Sequence, residues 1–101
     1  MRKEHTMYAT IRRYKSGSPE EVLKQVKKAF VPIISKAPGF LDYYVLNCGD
    51  GVLVSISVFK TQAQEKRSNQ MAAQWVRQSV APLMEGPPEV TEGKVIVHKT
   101  K

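Results

Sequence analysis

The chain has 101 residues, of which 42% are hydrophobic and 25% charged, and sixteen Lys and Arg against nine Asp and Glu give a formal net charge of +7. These values describe one small globular domain, residues 1–101 with an ordered core expected at about 6–98, that buries only roughly 60–65% of its unfolded surface unless it associates. No apolar run approaches the ~18 residues of a membrane span, and cations scattered over every segment without interleaved aromatics argue against a nucleic-acid partner.

Thr6 to Tyr14 alternates, with Met7, Ala9 and Ile11 on one face and Tyr8, Thr10 and Arg12 on the other, and so predicts a strand. Before it, Met1-Arg2-Lys3-Glu4-His5 has basic residues with no apolar segment behind them, so no secretory leader is expected. Ser18-Pro19-Glu20-Glu21 predicts a helix start, with Ser at the N-cap, Pro at the first helical position and Glu at the third as a capping box. Val22, Leu23, Val26, Ala29, Phe30, Ile33, Ile34 and Ala37 follow as one apolar stripe. Pro32 lies inside that stripe. It lacks a backbone donor and crowds the preceding turn, which predicts a kink or break near residues 30–32.

Residues 38–60 predict a β-hairpin. Two runs rich in β-branched and aromatic residues flank Gly49-Asp50-Gly51. Pairing across Asp50 puts Phe40, Tyr44, Leu46, Val52, Val54, Ile56 and Val58 on one face and Leu41, Tyr43, Val45, Leu53, Ser55, Ser57 and Phe59 on the other. Neither face is polar enough to meet water, so both need a cover. Cys48 is the single cysteine and fits a reducing cytoplasm.

Thr61-Gln62-Ala63-Gln64 is a second capping box and predicts a helix over 62–80 with a stripe of Ala72, Trp75, Val76, Ser79, Val80 and Leu83, extended by Met71 and Ala63. Pro82 and Gly86-Pro87-Pro88 end it. Residues 85–93 predict a loop, and Lys94-Val95-Ile96-Val97-His98 a last strand. The order strand, helix, strand, strand, helix, strand is the split βαβ, ferredoxin-like α+β arrangement: a four-stranded antiparallel sheet with both helices on one face. The other face, Leu41, Tyr43, Val45, Leu53 and Phe59 or the opposite set if the sheet is turned over, then predicts a two-fold homodimer.

With Ala37-Pro38-Gly39-Phe40 entering the second strand, such a chain resembles the dimeric α+β barrel superfamily. Ser57-Val58-Phe59 and then Ser68-Asn69-x-x-Ala72-Ala73-x-Trp75-Val76 resemble the antibiotic biosynthesis monooxygenase-like proteins, over about residues 6–98. The resemblance implies an oxygenase that needs no cofactor and acts on a small aromatic or quinol substrate. It implies a cavity between sheet and helices, with Asn69 and Trp75 as catalytic candidates and Tyr8, Tyr44, Arg67 and Ala72 as substrate-binding ones. Asn69 and Trp75 are six positions apart, hence about 120° apart around a helix. The alternatives are a Trp75 that anchors the core and an Asn69 that faces water or a subunit interface.

The haem-degrading branch of this family carries a histidine beyond the tryptophan. Here Gln78, Ser79 and Glu85 occupy that region, and the histidines are His5 and His98, so haem ligation is not expected. No metal-ligand spacing is present, and Ser55 and Ser57 have no evident base. Arg12 attracts an anionic substrate or else lies at the sheet edge. Two function classes remain: a cofactor-independent monooxygenase, and a non-catalytic dimeric domain that binds a metabolite or only itself. A pocket between helix and sheet discriminates them.

Overall fold

A computed structural model describes residues 6–101; Arg2, Lys3 and His5 lie outside the described residues. The elements are β1 (Tyr8–Lys15), α1 (Pro19–Gln25), a π-helical turn (Val26–Phe30), α2 (Val31–Ile34), β2 (Phe40–Gly49), β3 (Val52–Phe59), α3 (Gln62–Ser79), a 3-10 turn (Ala81–Leu83) and β4 (Glu89–Lys94). The sheet order is β2-β3-β1-β4 and every pairing is antiparallel. This is the ferredoxin-like α+β fold, with the helices covering one sheet face.

The hairpin register is the expected one, from Asp42↔Val58 to Asn47↔Leu53. All three turn residues have positive φ, 88° at Gly49, 54° at Asp50 and 80° at Gly51. Gly51 also packs against the chain after β1: its carbonyl accepts from Ser16 N–H at 2.8 Å, and a Cβ there would run into the Ser16 carbonyl oxygen. A register shift between Phe40 and Asp42 makes Leu41 the extra residue of a bulge. The bulge brings Phe40 onto the core side, where its ring meets Phe59 edge-on at 5.9 Å.

The helix-covered face carries Leu53, Ser55, Ser57 and Phe59, all buried, with Tyr43 packed against the core. The uncovered face is therefore the opposite set from the one named first above. Tyr44, Leu46 and Ile11 are exposed on it, and Ile11, Ile56 and Tyr44 form one row across three strands. The core cluster is Phe30, Ile34, Phe59 and Ala72. Each large apolar side chain buried there contributes about 1.5–3 kcal/mol.

Two local expectations are corrected, and a third takes a particular form. Neither half of the Ser18 capping box forms: the Ser18 side chain makes no cap bond, and its N–H donates to Ser16 Oγ at 2.9 Å while Glu21 accepts from Gln25 at 3.0 Å. The irregularity expected near residues 30–32 takes the form of a π-helical turn, Val26–Phe30, between α1 and α2. That turn absorbs the missing N–H of Pro32, and α2 continues to Ile34. The last strand lies at Glu89–Lys94 and not at 94–98. It pairs with β1, which begins at Tyr8 opposite Lys94, so the ladder runs out of partner after Val95 N–H reaches the Met7 carbonyl. Ile96 and Val97 are left 88% and 83% exposed. The Thr61 cap forms as expected, accepting from Gln64 N–H at 3.1 Å.

Candidate functional site

The site is built where α3 crosses β1. Four helix residues rise about 6 Å and two strand residues about 6.6 Å, so side chains at i, i+4 on a helix can meet side chains at j, j+2 on a strand one for one. Glu65 and Asn69 on α3 meet Thr10 and Arg12 on β1 in this way. Thr10 Oγ1 donates to Glu65 Oε2 at 2.6 Å, and Arg12 Nη2 donates to Asn69 Oδ1 at 2.8 Å and to the Asn69 main-chain oxygen at 3.3 Å. Asn69 Nδ2 closes the network, donating to Thr10 Oγ1 at 3.0 Å and to Glu92 Oε2 at 2.8 Å. Glu92 on β4 also pairs with Lys66 at 3.2 Å.

These bonds fix each group's role. The single Thr10 hydroxyl proton goes to Glu65, so its oxygen must accept from Asn69. Both Asn69 amide protons are thereby engaged, and its oxygen faces Arg12. Arg12 has five N–H donors, of which those on Nη2 serve Asn69; Nε and Nη1 have no acceptor among the described residues. Arg12 is only 6% exposed, and no ion pair among the described residues includes it. A guanidinium withdrawn from water without a carboxylate is costly, and it gains from any anion brought to it.

Two spaces adjoin Arg12. One is a narrow space of about 30 Å³ under α3, lined by Phe30, Tyr43, Ala72 and Trp75. It holds a water or two, not a substrate. The other is an open groove of about 510 Å³ between α3, β1 and the Gly86-Pro87-Pro88 segment. Arg12, Tyr14, Asn69 and Arg77 are its polar lining, set among Ala73, Val76, Met84 and Pro87. Arg12, Tyr14, Val76 and Met84 line both spaces and form the wall between them.

Two half-buried tyrosines, Tyr14 in this wall and Tyr43 in the smaller space, stay protonated at neutral pH. Burial raises Tyr14 above the ordinary phenol value, opposed by the Arg12 charge. Burial raises Tyr43 to about 12, helped by Tyr14 and opposed by Arg12 and by the Ser55 hydroxyl. Both are hydrogen-bonding groups there, not bases.

Of the residues singled out from sequence, Asn69 faces the groove, whereas Trp75 faces the narrow space and packs on Phe30 at 5.1 Å between ring centroids. Ala72 is buried beneath them. Tyr8 lies on β1 two residues before Thr10 and lines neither space. Tyr44 is on the uncovered face, 54% exposed. Arg67 lines a separate cleft with Gln64, Ser68 and Met71. The structure thus gathers Asn69 with Arg12, and not with Trp75, Tyr44 or Arg67. Sequence reasoning missed Glu65, Tyr14, Arg77 and Glu92. A signal for Glu65 was present: stepping back from Ala72 at helical spacing meets Ser68 and Glu65, and both are buried.

No protein-family profile matches the chain, and no curated protein matches it. Solved structures match its fold. The NE2512 protein of unknown function from Nitrosomonas europaea superposes with a TM-score of 0.80 at 18% identity over 98% of each chain. A protein provisionally named an antibiotic biosynthesis monooxygenase, also from Nitrosomonas europaea, gives 0.75 at 20% identity over 95% of this chain and 96% of its own. SnoaB, a cofactor-independent oxygenase from Streptomyces nogalater, gives 0.64 at 18% identity over 96% and 97%. The chain therefore has the fold of antibiotic biosynthesis monooxygenase structures, as its resemblance implied.

Proposed function

We propose that this chain is a cofactor-independent monooxygenase of the antibiotic biosynthesis type, acting on a small aromatic phenol or quinol bound between α3 and β1. The groove carries this reading. Its volume of about 510 Å³ suits a ligand of two or three rings, its walls are apolar, and its few polar groups gather around an Arg12 that lacks an anion. The activity named for SnoaB supports the reaction class, since fold alone does not imply chemistry.

In this reading the substrate hydroxyl sits against Arg12, whose free N–H groups and charge favour the phenolate. Its proton leaves through the open mouth to water. The electron-rich anion then reduces O2. One oxygen atom enters the substrate and the other leaves as water, with the substrate supplying all the electrons. Asn69 acts through Arg12, which it orients, and Thr10 with Glu65 orients Asn69. Trp75 supports the groove wall from behind. Oxygen uptake with menadiol above the buffer rate, lost on Arg12→Gln, tests the proposal; the same uptake in both proteins would sink it.

A second reading, a non-catalytic dimeric domain, draws on one observation: the space that Trp75 lines has a volume of about 30 Å³, too small for a substrate. Absence of both turnover and aromatic binding in the groove would select it.

The assembly proposed with either reading is a two-fold dimer through the uncovered sheet face, where the Ile11–Ile56–Tyr44 row would be covered. Among the described residues no helix is long and apolar enough to cross a membrane. The exposed free thiol of Cys48 supports a cytoplasmic setting.

A further inference from the structure

The groove is lined by two arginines and, among the described residues, by no acid. Arg12 lies at its base and Arg77 on its exposed flank, and no Asp or Glu is among its described lining. The ion pairs among the described residues join Arg13 to Glu89 and Lys66 to Glu92, so neither groove arginine is neutralised by one. The carboxylates closest to Arg12 in the hydrogen-bond network, Glu65 and Glu92, reach it only through Thr10 and Asn69. A phenolate at Arg12 accounts for one of the two unpaired charges. The second has no counterpart in a simple phenol or quinol.

We infer that the substrate is an aromatic hydroxy acid, its hydroxyl directed to Arg12 at the base of the groove and its carboxylate to Arg77 at the mouth. This assignment rests on the groove being the substrate site. The placement follows from solvation. A carboxylate is charged before it binds, and stripping it of water at the base of the groove costs more than leaving it partly hydrated at the rim. A neutral hydroxyl enters the dry end cheaply and becomes charged only there, beside a cation already in place. The apolar walls at Ala73, Val76, Met84 and Pro87 take the ring faces between the two ends.

Calorimetric binding of 6-hydroxy-2-naphthoate and of 2-naphthol at pH 7 tests the inference. The acid is expected to bind about fivefold more tightly than the naphthol, the scale of one partly exposed charge pair. Arg77→Gln is expected to bring the two within about twofold, and Arg77→Lys to restore most of the gap. Arg77 is exposed, so its replacement leaves the core intact. Equal binding of both probes to the wild-type protein overturns the hydroxy-acid inference and leaves the groove standing as a phenol site. A preference that survives Arg77→Gln also overturns it. Binding of neither probe overturns the groove reading as well.

Discussion

Asn69 takes both hydrogen bonds that the Arg12 guanidinium makes among the described residues, one through Oδ1 at 2.8 Å and one through its main-chain oxygen at 3.3 Å. A side chain on a helix thus holds a nearly buried cation on the neighbouring strand, where an acid would ordinarily stand. The arrangement leaves the positive charge available to a ligand while keeping its direction fixed. It also makes Asn69 a positioning residue whose own N–H groups are already committed to Thr10 and Glu92.

Asn69→Ala removes one acceptor of Arg12 and both donors to Thr10 and Glu92 and leaves the main-chain bond in place. Hydrogen bonds to charged groups contribute about 1.5–3 kcal/mol, and the variant is expected to lose stability on that scale in urea unfolding. Affinity for an anionic aromatic should fall with it, because Arg12 is no longer held in one direction. A variant as stable as the wild type would show that the network does not orient the cation.

Alkaline stability depends on Tyr43. Its folded-state value lies at about 12, above the ordinary 10.0, chiefly through burial. A group raised in this way contributes stability that is fully present below pH 10 and is lost as pH rises towards 12. The shift corresponds to about 2–3 kcal/mol across that window. Tyr43→Phe, which cannot ionise, is expected to flatten the decline in stability over the same interval, measured by denaturant midpoint against pH. A decline as steep as that of the wild type would contradict the assignment.

The hairpin turn separates two effects of glycine. Gly49 has a φ of 88° and open space around its α-carbon, so Gly49→Ala meets only left-handed strain of about 1–2 kcal/mol. Gly51 adds the collision with the Ser16 carbonyl, and Gly51→Ala is expected to cost at least about 3 kcal/mol. Equal costs in chemical denaturation would mean that the turn does not pack on the chain after β1.

The uncovered sheet face makes its own prediction. Ile56 stands between Ile11 and Tyr44 in the middle of that face. The wild-type chain is expected to run at twice its mass of 11.4 kDa in light scattering, and Ile56→Glu at the single mass. A monomeric wild-type chain at micromolar concentration would contradict the proposed dimer.

Much of this fold was legible because its signals are local. Gly49-Asp50-Gly51 set the hairpin register, Thr61 and Gln64 marked the start of α3, and Pro19 the start of α1. Strand β4 was not legible. Its residues Glu89-Val90-Thr91-Glu92-Gly93-Lys94 are all exposed and carry one apolar side chain, because an edge strand that meets α3 through the polar Glu92 has no apolar periodicity to show. The bulge at Leu41 and the choice of covered face escaped for a related reason. Both hairpin faces are apolar, so only the helices decide which is buried. The site was half legible. Asn69 stood out by family pattern, but its partners Thr10 and Arg12 fell on a strand face whose cover alternation alone does not decide. That face is buried because α3 brings Glu65 and Asn69 down onto it, a pairing visible only once helix and strand are in contact.

Oxygen consumption with menadiol, read in an oxygen electrode on wild-type protein and Arg12→Gln side by side, tests the proposed oxygenase most directly. The expected result is uptake by the wild type clearly above spontaneous oxidation, reduced by at least about tenfold in the variant, consistent with removal of a group that stabilises the reacting anion. Wild-type uptake no faster than buffer, or an Arg12→Gln rate equal to the wild type, would contradict it.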